Sequence, residues 1–256
     1  MSPDSWIVTT TKSRDSISMT RAEEVAQRCG LRFVERRDSL ARLLLRYQAQ
    51  GAYVVGAEKA ELRARGLKLS VHPSMLHHVR HVGRAHPFLR SVAPPGEEVE
   101  RVIDATLGLA KDALHLATFL ECQVVGLETS SILACLCEDG LARLGPYWSA
   151  GGARVEVVQT ESRAWLDAQE PASADVVVLD PMFEAPQAAA AGFDLLRGLA
   201  HEAPLSLPLV EAAARVATRR VVLKLPRGAQ PPPGSGTWSR IRGQRLDYFA
   251  RLPACD

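Results

Sequence analysis

Val176-Val177-Val178-Leu179-Asp180-Pro181-Met182-Phe183 is the stretch on which the fold turns: four apolar residues, three of them β-branched, then a carboxylate and a proline. Such a run, bounded by a turn, reads as a strand buried on both faces. The same unit recurs upstream. Arg101 to Ala105, Gln123 to Leu127, Arg154 to Val158 and Ala174 to Leu179 read as strands, with helices between them at Gly108 to Phe119, Ser130 to Ala142 and Ser162 to Ala168. Downstream, Leu209 to Ala217 reads as a helix leading into the strand Arg220-Val221-Val222-Leu223-Lys224. Arg240 to Leu252 then reads as a closing antiparallel pair after the Pro231-Pro232-Pro233-Gly234-Ser235-Gly236 loop. Alternation of this kind predicts an α/β fold with a parallel sheet covered by helices on both faces.

Working towards the amino terminus, Ala93-Pro94-Pro95-Gly96 is a turn-rich break and predicts a junction between a domain of residues 1–95 and one of 96–256. The first part reads as a smaller α/β unit: strands at Trp6 to Thr10, Leu31 to Val34, Ala52 to Val55 and Leu67 to Leu69, helices at Thr20 to Arg28 and Ser39 to Tyr47, with Ser39 as a cap. Lys59 to Arg90 otherwise gives no clear pattern. The whole chain has 31 Lys+Arg and 29 Asp+Glu, a formal charge of +2. Divided at the junction, the first part holds 16 basic and 8 acidic residues and the second 15 and 21, so +8 stands against −6. The 256 residues, 46% of them hydrophobic, exclude a disordered or fibrous chain. Five cysteines without a Cys-x-x-Cys pair fit reduced thiols. No leader pattern and no apolar stretch approaching the roughly 18 residues of a span is present, so a cytoplasmic protein without membrane association is expected.

The chemistry gathers at predicted strand ends. The first strand of the second domain runs into Asp104-Ala105-Thr106-Leu107-Gly108, and the second into Glu128, placed to accept hydrogen bonds from both hydroxyls of a ribose. Singly, each carboxylate reads better as a cap; in order at successive strand ends they read as a site for a nucleoside-containing cofactor. The loop has neither the three glycines of a dinucleotide fingerprint nor a Walker lysine, and Asp104 and Asp112 would repel a diphosphate. Acidic groups suit a cation. S-adenosylmethionine, with an ammonium, a sulfonium and no phosphate, meets that requirement, and Asp104, Thr106 and Gly108 are its predicted contacts. Asp180 and the backbone carbonyl after it could accept hydrogen bonds from an exocyclic amine and turn its lone pair towards a methyl group. Pro181-Met182-Phe183 completes that catalytic segment, Pro181 stiffening the turn and Phe183 stacking on a base. A turn and a core phenylalanine are the plainer alternative.

Asp104-Ala-Thr-Leu-Gly-Leu-Ala-Lys-Asp112, Leu127-Glu128, Leu179-Asp-Pro-Met-Phe183 and Arg220-Val-Val-Leu-Lys224 resemble the S-adenosylmethionine-dependent methyltransferase family that includes the bacterial enzyme methylating a guanine amine in small-subunit ribosomal RNA. The resemblance covers about the last 160 residues. It implies a Rossmann-like class I sheet, mostly parallel with an antiparallel closing strand, and cofactor contacts at Lys111, Asp112, Glu128, Thr129, Glu161, Ser162 and Asp180. Ile7-Val8-Thr9-Thr10-Thr11, Phe33-Val34-Glu35-Arg36 and His72-Pro73-Ser74-Met75 resemble a less characterised branch of that family. Five of seven histidines fall at His72, His77, His78, His81 and His86, amid Arg80, Arg84 and Arg90. No carboxylate or cysteine lies near enough in sequence to complete a metal site, so no metal is expected. His72, His77, His78, Arg80, His81 and Arg84, together with Lys224, are instead the predicted contacts to RNA. A small-molecule or protein acceptor, and a cofactor-binding protein without catalysis, are the two other functions compatible with these motifs.

Overall fold

The computed structural model describes residues 5–12, 15–72, 82–144, 154–181, 193–200 and 205–252. In chain order the first elements are β1 (Trp6–Thr10), α1 (Ser16–Cys29), β2 (Arg32–Phe33), α2 (Leu40–Arg46), β3 (Gly51–Val55), β4 (Ala60–Ala64), β5 (Leu67–Leu69) and α3 (Pro87–Val92). Next come β6 (Arg101–Asp104), α4 (Lys111–Phe119), β7 (Gln123–Glu128), α5 (Ser131–Leu144), β8 (Arg154–Gln159), α6 (Ser162–Asp167) and β9 (Ala174–Leu179). The chain ends with α7 (Phe193–Leu199), α8 (Leu207–Val216), β10 (Ala217–Pro226), β11 (Ser239–Arg242) and β12 (Leu246–Arg251).

Two compact units form. The first holds residues 1–72, 130–145 and 186–201; the second holds 73–129, 146–185 and 202–256. In the first, a five-stranded sheet has the order β2-β1-β3-β4-β5, parallel from β2 to β3 and antiparallel from β3 to β5. Ile7, Val34, Leu43, Ala52 and Val54 form its core, and Asp15 and Ser39 cap α1 and α2 through the backbone N–H of Ser18 and Arg42. The strand β4 lies in the stretch that showed no clear pattern: Ala60, Leu62 and Ala64 are buried, while Glu61 between them is held by Lys59 and Arg63. Small apolar residues alternating with a paired charge gave the period of two too little contrast to be read.

The second unit holds a seven-stranded sheet of order β11-β12-β10-β9-β6-β7-β8. Strands β10, β9, β6, β7 and β8 are parallel, and β12 runs antiparallel to β10 and β11, as expected from the sequence. Val176 to Leu179 and Val221 to Leu223 are each 0% exposed, which is the state of strands covered on both faces. Leu209, Val210, Ala213 and Val216 recur at helical spacing on α8 and pack onto Ile103, Val177, Leu179 and Leu223. Each valine, leucine or isoleucine among them removed from water contributes about 1.5–3 kcal/mol. The strand order reverses at β6, between β7 and β9, and in open α/β sheets ligands bind at such a reversal, beyond the carboxyl ends of the strands. The units part at His72/Pro73 instead of at Pro94-Pro95, because Phe88, Leu89 and Val92 of α3 are fully buried and α3 packs with α4, β10 and β12.

Candidate functional site

Five strand ends of the second unit converge through side chains. Asp104 closes β6 and is 1% exposed; its Oδ1 accepts from the backbone N–H of Thr106 at 3.1 Å and from the Thr106 hydroxyl at 3.4 Å. That hydroxyl in turn accepts from the backbone N–H of Asp180 at 2.7 Å, tying the end of β6 to the end of β9. The Asp180 carboxylate receives the Lys224 ammonium of β10 at 2.5 Å, and the same ammonium pairs with Asp112 on the first turn of α4. One chain of contacts therefore runs Asp104, Thr106, Asp180, Lys224, Asp112.

At the neighbouring strand end, Glu128 of β7 accepts the backbone N–H of Gly108 through Oε2 at 3.1 Å. The loop can approach that closely because β7 carries Gly126: a Cβ there would lie 2.4 Å from Leu107 Cδ1. Gly108 itself adopts φ +54°, in the left-handed region where a side chain is strained. Thr129 donates to the carbonyl of Thr160 at 3.2 Å, and Ser162 donates to that of Ala105 at 2.5 Å, so the ends of β8, β7 and β6 are laced together. Glu161 is the N-cap of α6, accepting from Arg163 and Ala164, and Lys111 is exposed at the start of α4.

Electrostatics sharpens this picture. Lys224 is almost fully buried; burial opposes its charge, but the carboxylates of Asp112 and Asp180 outweigh it and hold its pKa above the ordinary lysine value. Asp104 has no such cation in contact. Burial first, and then repulsion by Asp112, push its carboxyl up to about 7, and its Oδ2 has no hydrogen-bond partner among the described residues. A buried, uncompensated carboxylate oxygen is a place for a cation. S-adenosylmethionine fits that requirement through its ammonium, with Glu128 at the next strand end to meet a ribose.

The structure brings Asp104, Thr106, Gly108, Lys111, Asp112, Glu128, Thr129, Glu161, Ser162, Asp180 and Lys224 to the carboxyl ends of the strands or the loops that follow them. Pro181 is buried beside them in sequence. Met182, Phe183, His77, His78, Arg80 and His81 lie outside the described residues. His72 is an exposed residue of the first unit. Arg84 donates to the carbonyl of Phe119, at the far end of α4 from Asp112, about 10 Å along the helix. Lys224 was expected to reach substrate, yet its ammonium is buried between two carboxylates; its place is behind the site. Nor are all the arginines of the first part free. Arg21 pairs with Asp139, Arg28 with Glu138, Arg37 with Glu35, Arg42 and Arg46 with Asp38, and Arg63 with Glu61.

Sequence reasoning missed the wall behind Lys224. Phe88 lies under the ammonium, 5.3 Å from ring centroid to Nζ, and Tyr248, registered opposite Lys224, packs on Phe88 and His86. His115 of α4 meets His86 at 6.0 Å between ring centroids, and burial drives its pKa down to about 4, so this wall is uncharged at neutral pH. The signal that could have exposed it was the lone lysine ending an apolar strand, which demands counter-charges and a dry surround.

Residues 24–248 match the family described as "Putative SAM-dependent methyltransferase". The ribosomal RNA small subunit methyltransferase J of Laribacter hongkongensis is 36% identical over 184 residues, a segment covering 67% of this chain and 63% of that protein. The protein of the same name from Thioalkalivibrio sulfidiphilus is 36% identical over 177 residues, covering 65% and 68%, and one from Escherichia coli is 34% identical over 179 residues, covering 67% and 71%. The chain thus spans a little under two thirds of the first of these relatives. Among solved structures, a SAM-dependent methyltransferase from Neisseria gonorrhoeae has the same fold, with a TM-score of 0.68 at 20% identity over 96% of this chain and 95% of that one.

Proposed function

The chain belongs to the SAM-dependent methyltransferase family, alongside the ribosomal RNA small subunit methyltransferases J, and we propose that it methylates the exocyclic amine of a guanine in small-subunit ribosomal RNA. The observation that carries this reading is the Asp180 carboxylate, gripped on one oxygen by Lys224 and about a third exposed on the rest of its side chain, next to the strand-end carboxylates that suit the cofactor. When bound, S-adenosylmethionine supplies an electrophilic methyl group. Asp104 and Asp112 hold its cationic amino-acid end and Glu128 its ribose, while Thr129, Glu161 and Ser162 line the adenine side. Asp180 accepts an N–H of the amine through the oxygen that Lys224 leaves, and the backbone carbonyl after it takes the other. Two acceptors fix the nitrogen and direct its lone pair outwards. No tuned base is required, because the proton becomes acidic only after transfer and can pass to water.

Lys224 sets the geometry. Its ammonium fixes one Asp180 oxygen, and the Thr106 hydroxyl fixes the Asp180 backbone, so the acceptor arrives before the substrate does. Its counterpart in RNA binding is proposed to include the basic segment from His72 to Arg84, and the compartment that fits such a substrate is the cytoplasm. No helix among the described residues is long and apolar enough to cross a membrane.

Methyl transfer from labelled cofactor to unmodified small-subunit ribosomal RNA tests the reading, with mass mapping of the product nucleoside. Transfer to a guanine amine is expected from the intact chain and loss of at least a hundredfold from Asp180→Asn, with the cofactor isotherm retained. Transfer to a small molecule or a protein, but not to RNA, would replace the acceptor assignment.

A further inference from the structure

The acidic second part of the chain is itself divided. From Arg219 to Arg251 it carries eight basic residues and a single acidic one, Asp247, a local surplus of seven that the average of −6 conceals. These arginines are not equivalent. At the amino end of β10, Arg219 pairs with Asp175 and Arg220 with Glu97. On β11, Arg240 takes Asp247, which is fully buried. Of the other four, none meets an ion-pair partner among the described residues; Arg251 is half-buried, whereas Arg227, Arg242 and Arg245 are all exposed.

Their positions coincide. Leu223 of β10 is registered with Leu179 of β9, so the next residues, Lys224 and Asp180, meet at the carboxyl edge. Arg227 follows three residues later, just past Pro226, which is registered with Leu246. Arg245 immediately precedes Leu246, and Arg242 is registered with Asp247, itself opposite Leu225. The backbones of Arg242 and Leu225 are two strand spacings apart, about 10 Å. Three unpaired guanidinium groups therefore cluster on the edge hairpin of the sheet, at the end where Asp180 stands. Charges that only guard an edge strand against pairing with another chain could lie anywhere along it; here the exposed unpaired ones collect at one end, while Arg251, registered with Val221 at the other, is half-buried.

We propose that Arg227, Arg242 and Arg245 form the surface that grips the phosphate backbone of the RNA beside the target base. This deepens the acceptor reading above and rests on it. Exposed arginines suit the task because the guanidinium fork meets phosphate oxygens in pairs and is weakly hydrated. Such contacts position a strand without reading its sequence, leaving selection of the base to the pocket at Asp180.

The test uses the full chain, an unmodified small-subunit ribosomal RNA transcript and a salt series. The triple variant Arg227→Gln, Arg242→Gln, Arg245→Gln should raise the dissociation constant about tenfold or more near physiological salt. It should also flatten the plot of log affinity against log salt by about 2 to 3, one counterion per lost phosphate contact. The KM for RNA should rise, while the cofactor isotherm stays that of the wild type and shows the site intact. Replacing the three by lysine should keep most of the salt slope, and Arg219→Gln, at the opposite end, should change neither. Wild-type affinity and slope in the triple glutamine variant would overturn the surface and leave the acceptor reading standing. A wild-type protein that binds the cofactor yet neither binds nor methylates the transcript would overturn both.

Discussion

Replacing Lys224 by methionine removes one ammonium and leaves two carboxylates facing each other. The Lys224 side chain is 8% exposed, that of Asp112 14% and that of Asp180 32%. Deleting one member of a buried ion pair typically costs 3–5 kcal/mol, because the remaining charge has lost both water and partner. Methionine fills most of the aliphatic volume, so little cavity cost adds to that figure. Water reaches a third of Asp180 and can solvate part of what is left, which places the expected loss near the lower end, about 3 kcal/mol. The two carboxylates can also relieve their repulsion by taking up a proton. The deficit of Lys224→Met should therefore be largest above neutral pH and shrink as the pH falls.

Urea unfolding of both proteins at about pH 8 and pH 5 measures that difference, and the double variant with Asp112→Asn should recover part of the loss by removing one of the stranded charges. A protonated Asp180 is a poorer acceptor for the amine N–H, so the acid limb of the pH–rate profile should move to higher pH in the single variant. A deficit below about 1 kcal/mol, or one that is the same at both pH values, would refute the claim that this ammonium is buried to hold the two carboxylates.

Asp104 titrates in the opposite sense from an ordinary surface carboxylate. Its folded pKa of about 7 lies above the unfolded value, so the stability it contributes is complete below about pH 4 and is lost as pH rises through about 7. Three pH units correspond to roughly 4 kcal/mol, and Asp104→Asn should flatten the pH dependence of urea unfolding by an amount of that order; parallel curves would show that the burial argument fails. Glu128→Ala should weaken S-adenosylmethionine binding by about 1.5–3 kcal/mol in calorimetry, and an unchanged isotherm would remove the ribose role. Gly126→Ala drives a methyl group into Leu107, costing about 1–3 kcal/mol in unfolding experiments and loosening the cofactor loop. Leu107→Ala in the same chain should restore part of the loss, and no recovery would place the strain elsewhere.

Strand-end carboxylates were legible in the sequence because each follows a buried apolar run and the sheet puts all those ends on one edge. Asp104, Glu128 and Asp180 could be named from that rule alone, and the structure has them at the ends of β6, β7 and β9. What Lys224 does could not. Its partners lie 112 and 44 residues away, and no local period records a contact of that range. A lysine after an apolar strand was read as a hand for phosphate; only the packing of Phe88 and Tyr248 around it turns it into a buried clamp. Glu161 shows the reverse case, a residue carried over by resemblance whose carboxylate also has a purely local task as the cap of α6.

Charge was the most misleading quantity to read by halves of the chain. Dividing at Pro94-Pro95 gave a basic part and an acidic part, but a side chain's electrostatic role depends on which end of an element it occupies and what already neutralises it. Arginines of the first unit stand opposite Asp38, Glu61, Glu138 and Asp139, so several of them are neutralised at short range, where exposed pairs contribute little to stability and are screened from a distant polyanion. Within the acidic part, β10 to β12 carry arginines at both ends; Asp175 and Glu97 answer Arg219 and Arg220 at the end remote from Asp180, Asp247 answers Arg240, and Arg227, Arg242 and Arg245 are left exposed without an ion-pair partner among the described residues. An RNA strand feels the unneutralised groups within about a Debye length, so Arg227, Arg242 and Arg245 weigh more in its approach than the larger count of paired arginines in the other unit.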